Sequence, residues 1–504
     1  PCERPAAVAT AARAGGAAPS DFVVPAVNTG DVYAVRANAG DVVVRVNEGT
    51  PSERSYALPS ASVADVVITK AQSLMLTVPL GITGHVRFTA LSAGGNAATL
   101  VGTATDVDVT LGAASDAVGV ALDSVSVLDA RRTESVDLRA LGGGGVERLT
   151  VTMLGDVDIS HDAQAGTYTL SGGGRSVVVA VAALTELRVR GDGNDLLVLR
   201  GDAFAPTTLV NITVPRVQLD TNVAADSVTC AASKWLRVAA DVRVEATAGA
   251  VQLADGDVTL GERAELSGAT AVTLTDGGSV KFDAGARVDA ASSGDVTLGA
   301  ATLDAAATST VAAAAGAVRV TVAGVAKLGV TTATKGDVVV VGGANADLRA
   351  AVAARAVDVN VARQLRVFAA VSASAGALAL HSASASPSNA VRIERDATLS
   401  ASGGDVIVTT PHAGVLCDGA ATLTAHTGAV SIDAAGSVAT GGAVSAETNV
   451  TLHATDGAVT LNADVRARTG GVDIVGARGV SSDSATSISS YDGGGGGGGG
   501  AVAV

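Results

Sequence analysis

The chain has 504 residues, a net charge of −15, 48% hydrophobic but only 2% aromatic residues, and 61 glycines without a three-residue period. The acidity argues against a nucleic-acid partner, which needs clustered Lys and Arg; the glycine spacing excludes collagen; and no apolar run reaches the roughly 18 residues of a membrane helix. So few aromatics also exclude the roughly three globular domains that the length would suggest, because an interior of Ala, Val and Gly must be thin, as in a narrow cylinder.

In chain order, residues 1–20 are rich in Ala, Pro and Gly without alternation and are expected to be a linker or cap. The chain opens at Pro1 with no signal-like apolar run, as a processed product or a segment of something longer would. Residues 21–240 carry a β signal of irregular spacing. GDVYAV from Gly30 and GDVVVRV from Gly40 alternate with period 2, consistent with a hairpin or two sides of one coil. Further Val-rich runs such as DVVIT, DVDVT, SVVVAV and ELRVR are divided by turn-like inserts at Pro51 to Arg54, Gly142 to Gly145 and Gly172 to Gly174. No helical stripe occurs, so this region is expected to be a β-helix with loop insertions; a separate β-sandwich is the other reading.

Between residues 241 and 480 a period emerges. GDVTL at Gly294, GAVRV at Gly316, GDVVV at Gly336, AVDVNV at Ala356 and GALAL at Gly376 follow one another at spacings of 22, 20, 20 and 20 residues. Aligning them stacks Val296, Val318, Val338, Val357 and Leu378 in one inward column and Leu298, Val320, Val340, Val359 and Leu380 in the next, while the outward Thr297, Arg319, Val339, Asp358 and Ala379 vary freely. A second strand per turn is marked by ATL at Ala301, AKL at Ala326, ADL at Ala346, and ATL again at Ala397 and Ala421. The fold class is therefore all-β, a parallel β-helix (β-solenoid) of about 20 residues per coil, with neighbouring coils pairing about 4.8 Å apart.

One phrase recurs within this stretch: VEATAGAVQL at Val244, VDAASSGDVTL at Val288, VSASAGALAL at Val371, LSASGGDVIV at Leu399, LTAHTGAVSI at Leu423 and LHATDGAVTL at Leu452. It reads as strand, corner, strand, with Gly at the corner supplying a backbone conformation that residues with a Cβ resist. Such a phrase cannot bury its own apolar face, so copies must stack. Residues 481–504, with eight consecutive glycines from Gly493 to Gly500, are expected to be a flexible tail.

Phrases such as ATLSASGGDVIV, ATLTAHTGAVSI and TLHATDGAVTL resemble the repeats of filamentous-haemagglutinin-type adhesins over residues 241–480. The resemblance implies a right-handed parallel β-helix exported to the cell surface, a rod that attaches to something or holds something at a distance. No Asn-Pro-Asn tripeptide, the mark of that family's secretion domain, occurs in the chain.

Local signals suggest sharper chemistry. Arg190-Gly191-Asp192 and Arg200-Gly201-Asp202 write the integrin-type tripeptide twice, although Gly-Asp is also this chain's ordinary turn dipeptide. Asp192, Asn194 and Asp195 lie in GDGNDLLVL, a partial match to a calcium-binding β-roll turn; that motif works by tandem stacking, and one copy stands alone with Arg190 in place of its leading glycine. Asn211 and Asn449 open sequons that would accept glycans in a secreted eukaryotic protein. Asp257, Asp295, Asp337 and Asp405 each follow a corner position and read as a solvated edge, with like charges kept apart by alanines. The six histidines are dispersed, Cys2, Cys230 and Cys417 match no metal spacing, and Asp156, His161 and Asp162 come closest to a catalytic cluster. Trp235 beside WLRV is expected in the core or a cap.

The expected function is an extracellular or cell-surface structural or adhesive rod, a protomer or section of a longer filament that self-associates end to end or with other surface proteins. No enzyme activity, cofactor, nucleic acid or transmembrane segment enters that reading. The alternatives are a receptor- or glycan-binding module using loops of residues 50–240 and a polysaccharide-active β-helix enzyme.

Overall fold

The computed structural model describes residues 20–24, 31–71, 73–78, 86–90, 97–110, 117–131, 136–140, 148–152, 155–172, 175–180, 184, 186–254, 256–275, 277–292, 294–386, 390–490 and 502–503. Cys2, His85, the inserts at 142–145 and 173–174, and the glycine run at 493–500 lie outside them. The fold is all-β, a parallel β-solenoid of about 14 turns with about 22 residues per turn. Among the described residues the one helical element is the 3-10 turn Ser60–Ser62, and no helix is long and apolar enough to cross a membrane. The chain divides into two compact units, Pro1–Ala225 with Thr229–Ala232, and Asp226–Val228 with Ser233–Val504.

The first unit mixes two kinds of pairing. Parallel ladders join Ser20–Val24 to Val63–Ala71, Ser73–Val78 to Ala97–Thr110, and Ala97–Thr110 to Ala117–Arg131. Two antiparallel meanders interrupt them: Val32–Asn38, Arg54–Pro59 and the strand Asp41–Val46 between them, then Val157–Asp162, Thr167–Gly172 and Arg175–Ala180. Of the two readings of the Gly30 and Gly40 runs, a hairpin or two sides of one coil, the hairpin is present and opens the first of these. Its two-residue turn places Ala39 at φ 50° and Gly40 at φ 89°, the paired left-handed conformation that matches strand twist.

In the second unit each coil contributes three short strands, and each strand pairs only with its counterparts in the coils before and after. The first track runs through Val296–Ala300, Val318–Val322, Val338–Gly342, Val357–Val361 and Leu378–Ser382, joined residue for residue. The two inward columns read from the sequence are in register along it and buried. Each such Val or Leu contributes about 1.5–3 kcal/mol through burial, and each coil draws that stabilisation from its neighbours alone.

Each coil carries a third strand besides the two marked in the sequence, and the second-strand triplets divide between two tracks. Thr302–Ala305, Ala326–Leu328 and Ala346–Leu348 pair in succession on the second track, but the ATL segments at Ala397 and Ala421 lead into Thr398–Ala401 and Thr422–Ala425, on the third. One apolar-x-apolar triplet serves both tracks, so local sequence does not tell them apart. The recurring phrase behaves likewise: five copies turn the corner from third track to first, whereas the Leu452 copy joins Val450–Ala454 on the first to Val459–Leu461 on the second.

Coil length varies at the corner between the second and third tracks. In most of the four-residue turns a residue takes a left-handed conformation, as Arg263, Gly285, Asp396 and Gly419 do, while the turn at 306–309 has none. Where Ala326–Leu328 runs almost directly into Val330–Ala333 the turn is missing. At the other end, the stack continues into the segment expected to be a flexible tail: Val480–Ser482 pairs with Val459–Leu461 and Ile488–Ser490 with Val465–Ala467.

One inward column is chemically uneven. Ile393, Cys417, Thr440 and Leu461 succeed one another on the second track, and the buried Thr440 hydroxyl finds no hydrogen-bond partner. Thr440→Val keeps the shape and removes an unsatisfied polar group, so it is expected to raise unfolding stability by about 1–2 kcal/mol in denaturant titrations. Cys417 beside it is a free, fully buried thiol that burial pushes from an ordinary 9.0 up to about 12. Below pH 9 the thiol is neutral folded and unfolded. Above it the unfolded chain releases a proton that the folded chain keeps, so stability falls by about 1.4 kcal/mol per pH unit until about 12. Cys417→Val is expected to remove that contribution from the alkaline stability profile.

Candidate functional site

The sequence motifs of the first unit cluster around Val157–Asp162 and Leu196–Gly201, which pair in parallel. Asp156 accepts the Leu196 amide and the Arg216 guanidinium, both at 2.9 Å. His161 holds the Ala203 carbonyl through Nδ1 at 2.7 Å and stacks on Tyr168 with ring centroids 4.4 Å apart, Phe204 closing the group at 5.3 Å from Tyr168. Burial pushes the Tyr168 hydroxyl up to about 12, so the stack meets a neutral ring. Asp162 caps the Ala165 amide at 2.8 Å in the hairpin turn. The three side chains closest to a catalytic cluster thus perform three separate structural tasks.

The two Arg-Gly-Asp copies differ. In the second, Arg200 pairs with Asp158, and Asp202 accepts the Ala163 amide at 2.8 Å. Gly201 has φ 88°, and a Cβ there would lie 2.4 Å from the His161 carbonyl oxygen. This copy is consumed in fixing the hairpin. In the first copy Arg190 ends a strand, and Arg190 and Asp192 are both exposed. Asp195 turns inward and accepts the Asp192 amide at 3.1 Å, while Asn194 stays exposed, so the two do not converge as calcium ligands would. Among the described residues no three His, Cys, Asp or Glu side chains are grouped to hold a metal ion.

Of the sequons, Asn211 is half-buried in Leu209–Thr213 between the buried Val210 and Ile212. Asn449 is exposed at a corner, its Oδ1 accepting the Gly471 amide of the next coil at 2.9 Å. Trp235 is neither core nor cap but half-buried on the outward side of Trp235–Val238, where Leu236 and Val238 face inward.

The corner aspartates have a use that charge spacing alone did not reveal. Asp295 accepts the Ala317 amide and Asp405 the Ala429 amide, each at 2.7 Å and each from the following coil. Asp257 does the same for Ser279 at 2.7 Å, but it opens the second-track strand Asp257–Leu260 and so stands outside that column. Asp337 is the exception: the coil that follows is one of the shortest, Oδ2 takes Arg355 at 2.8 Å, and Oδ1 is left buried without a partner. These carboxylates stitch coils together.

Two arrangements were not found from sequence. Along the second track the outward residues Lys281, Asp304, Lys327, Asp347 and Arg366 succeed one another in register with alternating sign. In-register stacking would otherwise set like charges about 4.8 Å apart. The alternation ends where Arg366 pairs in register with Arg392; Glu394, just beyond that strand, lies 2.8 Å from Arg366 and 3.2 Å from Arg392 and bridges the two like charges, and Arg366 also covers the Phe368 ring at 4.7 Å. On the first track Asp433 stands opposite His453, whose Nε2 lies 3.0 Å from Asp473. Extending the inward-column alignment past Leu380 would have set Asp433 against His453, but it pairs His453 with Val475 and Asp473 with Thr451, so the diagonal His453–Asp473 contact was not legible.

Comparison with protein-family models finds no match. Comparisons with curated proteins and with solved structures likewise find none.

Proposed function

We propose that the chain is an extracellular or cell-surface structural rod, a protomer or section of a longer filament that associates end to end or with other surface proteins. The observation that carries the reading is the contrast between its faces. Inward columns are mostly Val, Leu, Ile and Ala through coil after coil, whereas outward residues vary in type and many of the polar ones stitch, cap or pair within the chain. A surface organised this way supports length more than local chemistry, and the likeness to filamentous-haemagglutinin-type repeats favours the same role. Asp156, His161 and Asp162 are each engaged structurally, so the proposal assigns no catalytic step. Asn211 and Asn449 are the places where glycans would be carried. Negative-stain electron microscopy of native material is expected to show extended particles joined at their ends; compact, unassociated monomers would overturn the reading.

A second reading, attachment through loops of the first unit, is favoured by the exposure of Arg190 and Asp192. Replacing both by alanine should abolish cell or receptor attachment while leaving particle shape intact; unchanged attachment counts against it.

A further inference from the structure

We draw no further inference here: the strongest candidate, the Asp433, His453 and Asp473 side chains that neighbouring coils bring together on the outward face of the first track, is an acidic cluster around one imidazole, and no second observation among the described residues points to a ligand there.

Discussion

Val340→Asn is expected to destabilise the coils around it by about 4 kcal/mol or more, while Val339→Asn, one residue away, changes stability by less than about 0.5 kcal/mol. Val340 is 1% exposed and lies in register between Val320 and Val359. An amide there loses the burial of a valine and meets only hydrocarbon, with every nearby backbone group already committed to the ladders. Val339 alternates to the other side, between Arg319 and Asp358, where an amide finds water and polar neighbours. Because each coil touches only the coils beside it, the damage from Val340→Asn should be local. Hydrogen exchange is the suitable measurement: protection should be lost first in Val318–Val322, Val338–Gly342 and Val357–Val361. Equal effects at the two positions would mean that the alternation does not define an inside and an outside.

That alternation was the most legible property of the chain. A period of two marks which side of a strand is buried, and a spacing near twenty marks which strands stack; together they place Val296, Val318, Val338, Val357 and Leu378 in one column without structural help. Track identity was not legible, because ATL at Ala301 and ATL at Ala397 present the same triplet to different sheets, and a four-residue strand holds too little information to say which. The structural roles of the candidate site residues were hidden for another reason. Asp156, His161, Arg200 and Asp202 bear the residue types of a functional cluster, but their partners are supplied by chain that the fold brings in from a distance: Leu196, Ala203 and Ala163 offer nothing in sequence that marks them as hydrogen-bond partners. The charge ladder was hidden by the same distance along the chain, since its members come one per coil.

The corner glycines carry the second large effect, and they also revise the reason for glycine in the recurring phrase. Like the phrase's own Gly249, Gly294, Gly376, Gly404 and Gly428, the glycines that hold the same corner in other coils, Gly316 and Gly336, have no left-handed backbone, so conformational freedom is not what those corners require. What they require is space. A Cβ on Gly316 would lie 2.2 Å from the Gly294 carbonyl oxygen, and one on Gly336 would lie 2.0 Å from that of Gly316. Each glycine therefore seats against the backbone of the preceding coil, and the obstacle is a main-chain oxygen that cannot rotate away. Gly336→Ala is expected to cost about 3 kcal/mol, as overpacking against a fixed neighbour does. Gly277 is the control, since a Cβ there would meet nothing within 4 Å and its φ is not left-handed; Gly277→Ala should be neutral or stabilising by up to about 1 kcal/mol. Gly336→Asn separates the two explanations. Were the backbone conformation decisive, Asn would be tolerated better than Ala, since Asn enters the left-handed region more readily. With space decisive, Asn is worse than Ala because it adds bulk to the same collision, and that order is the one expected in thermal unfolding of the three variants.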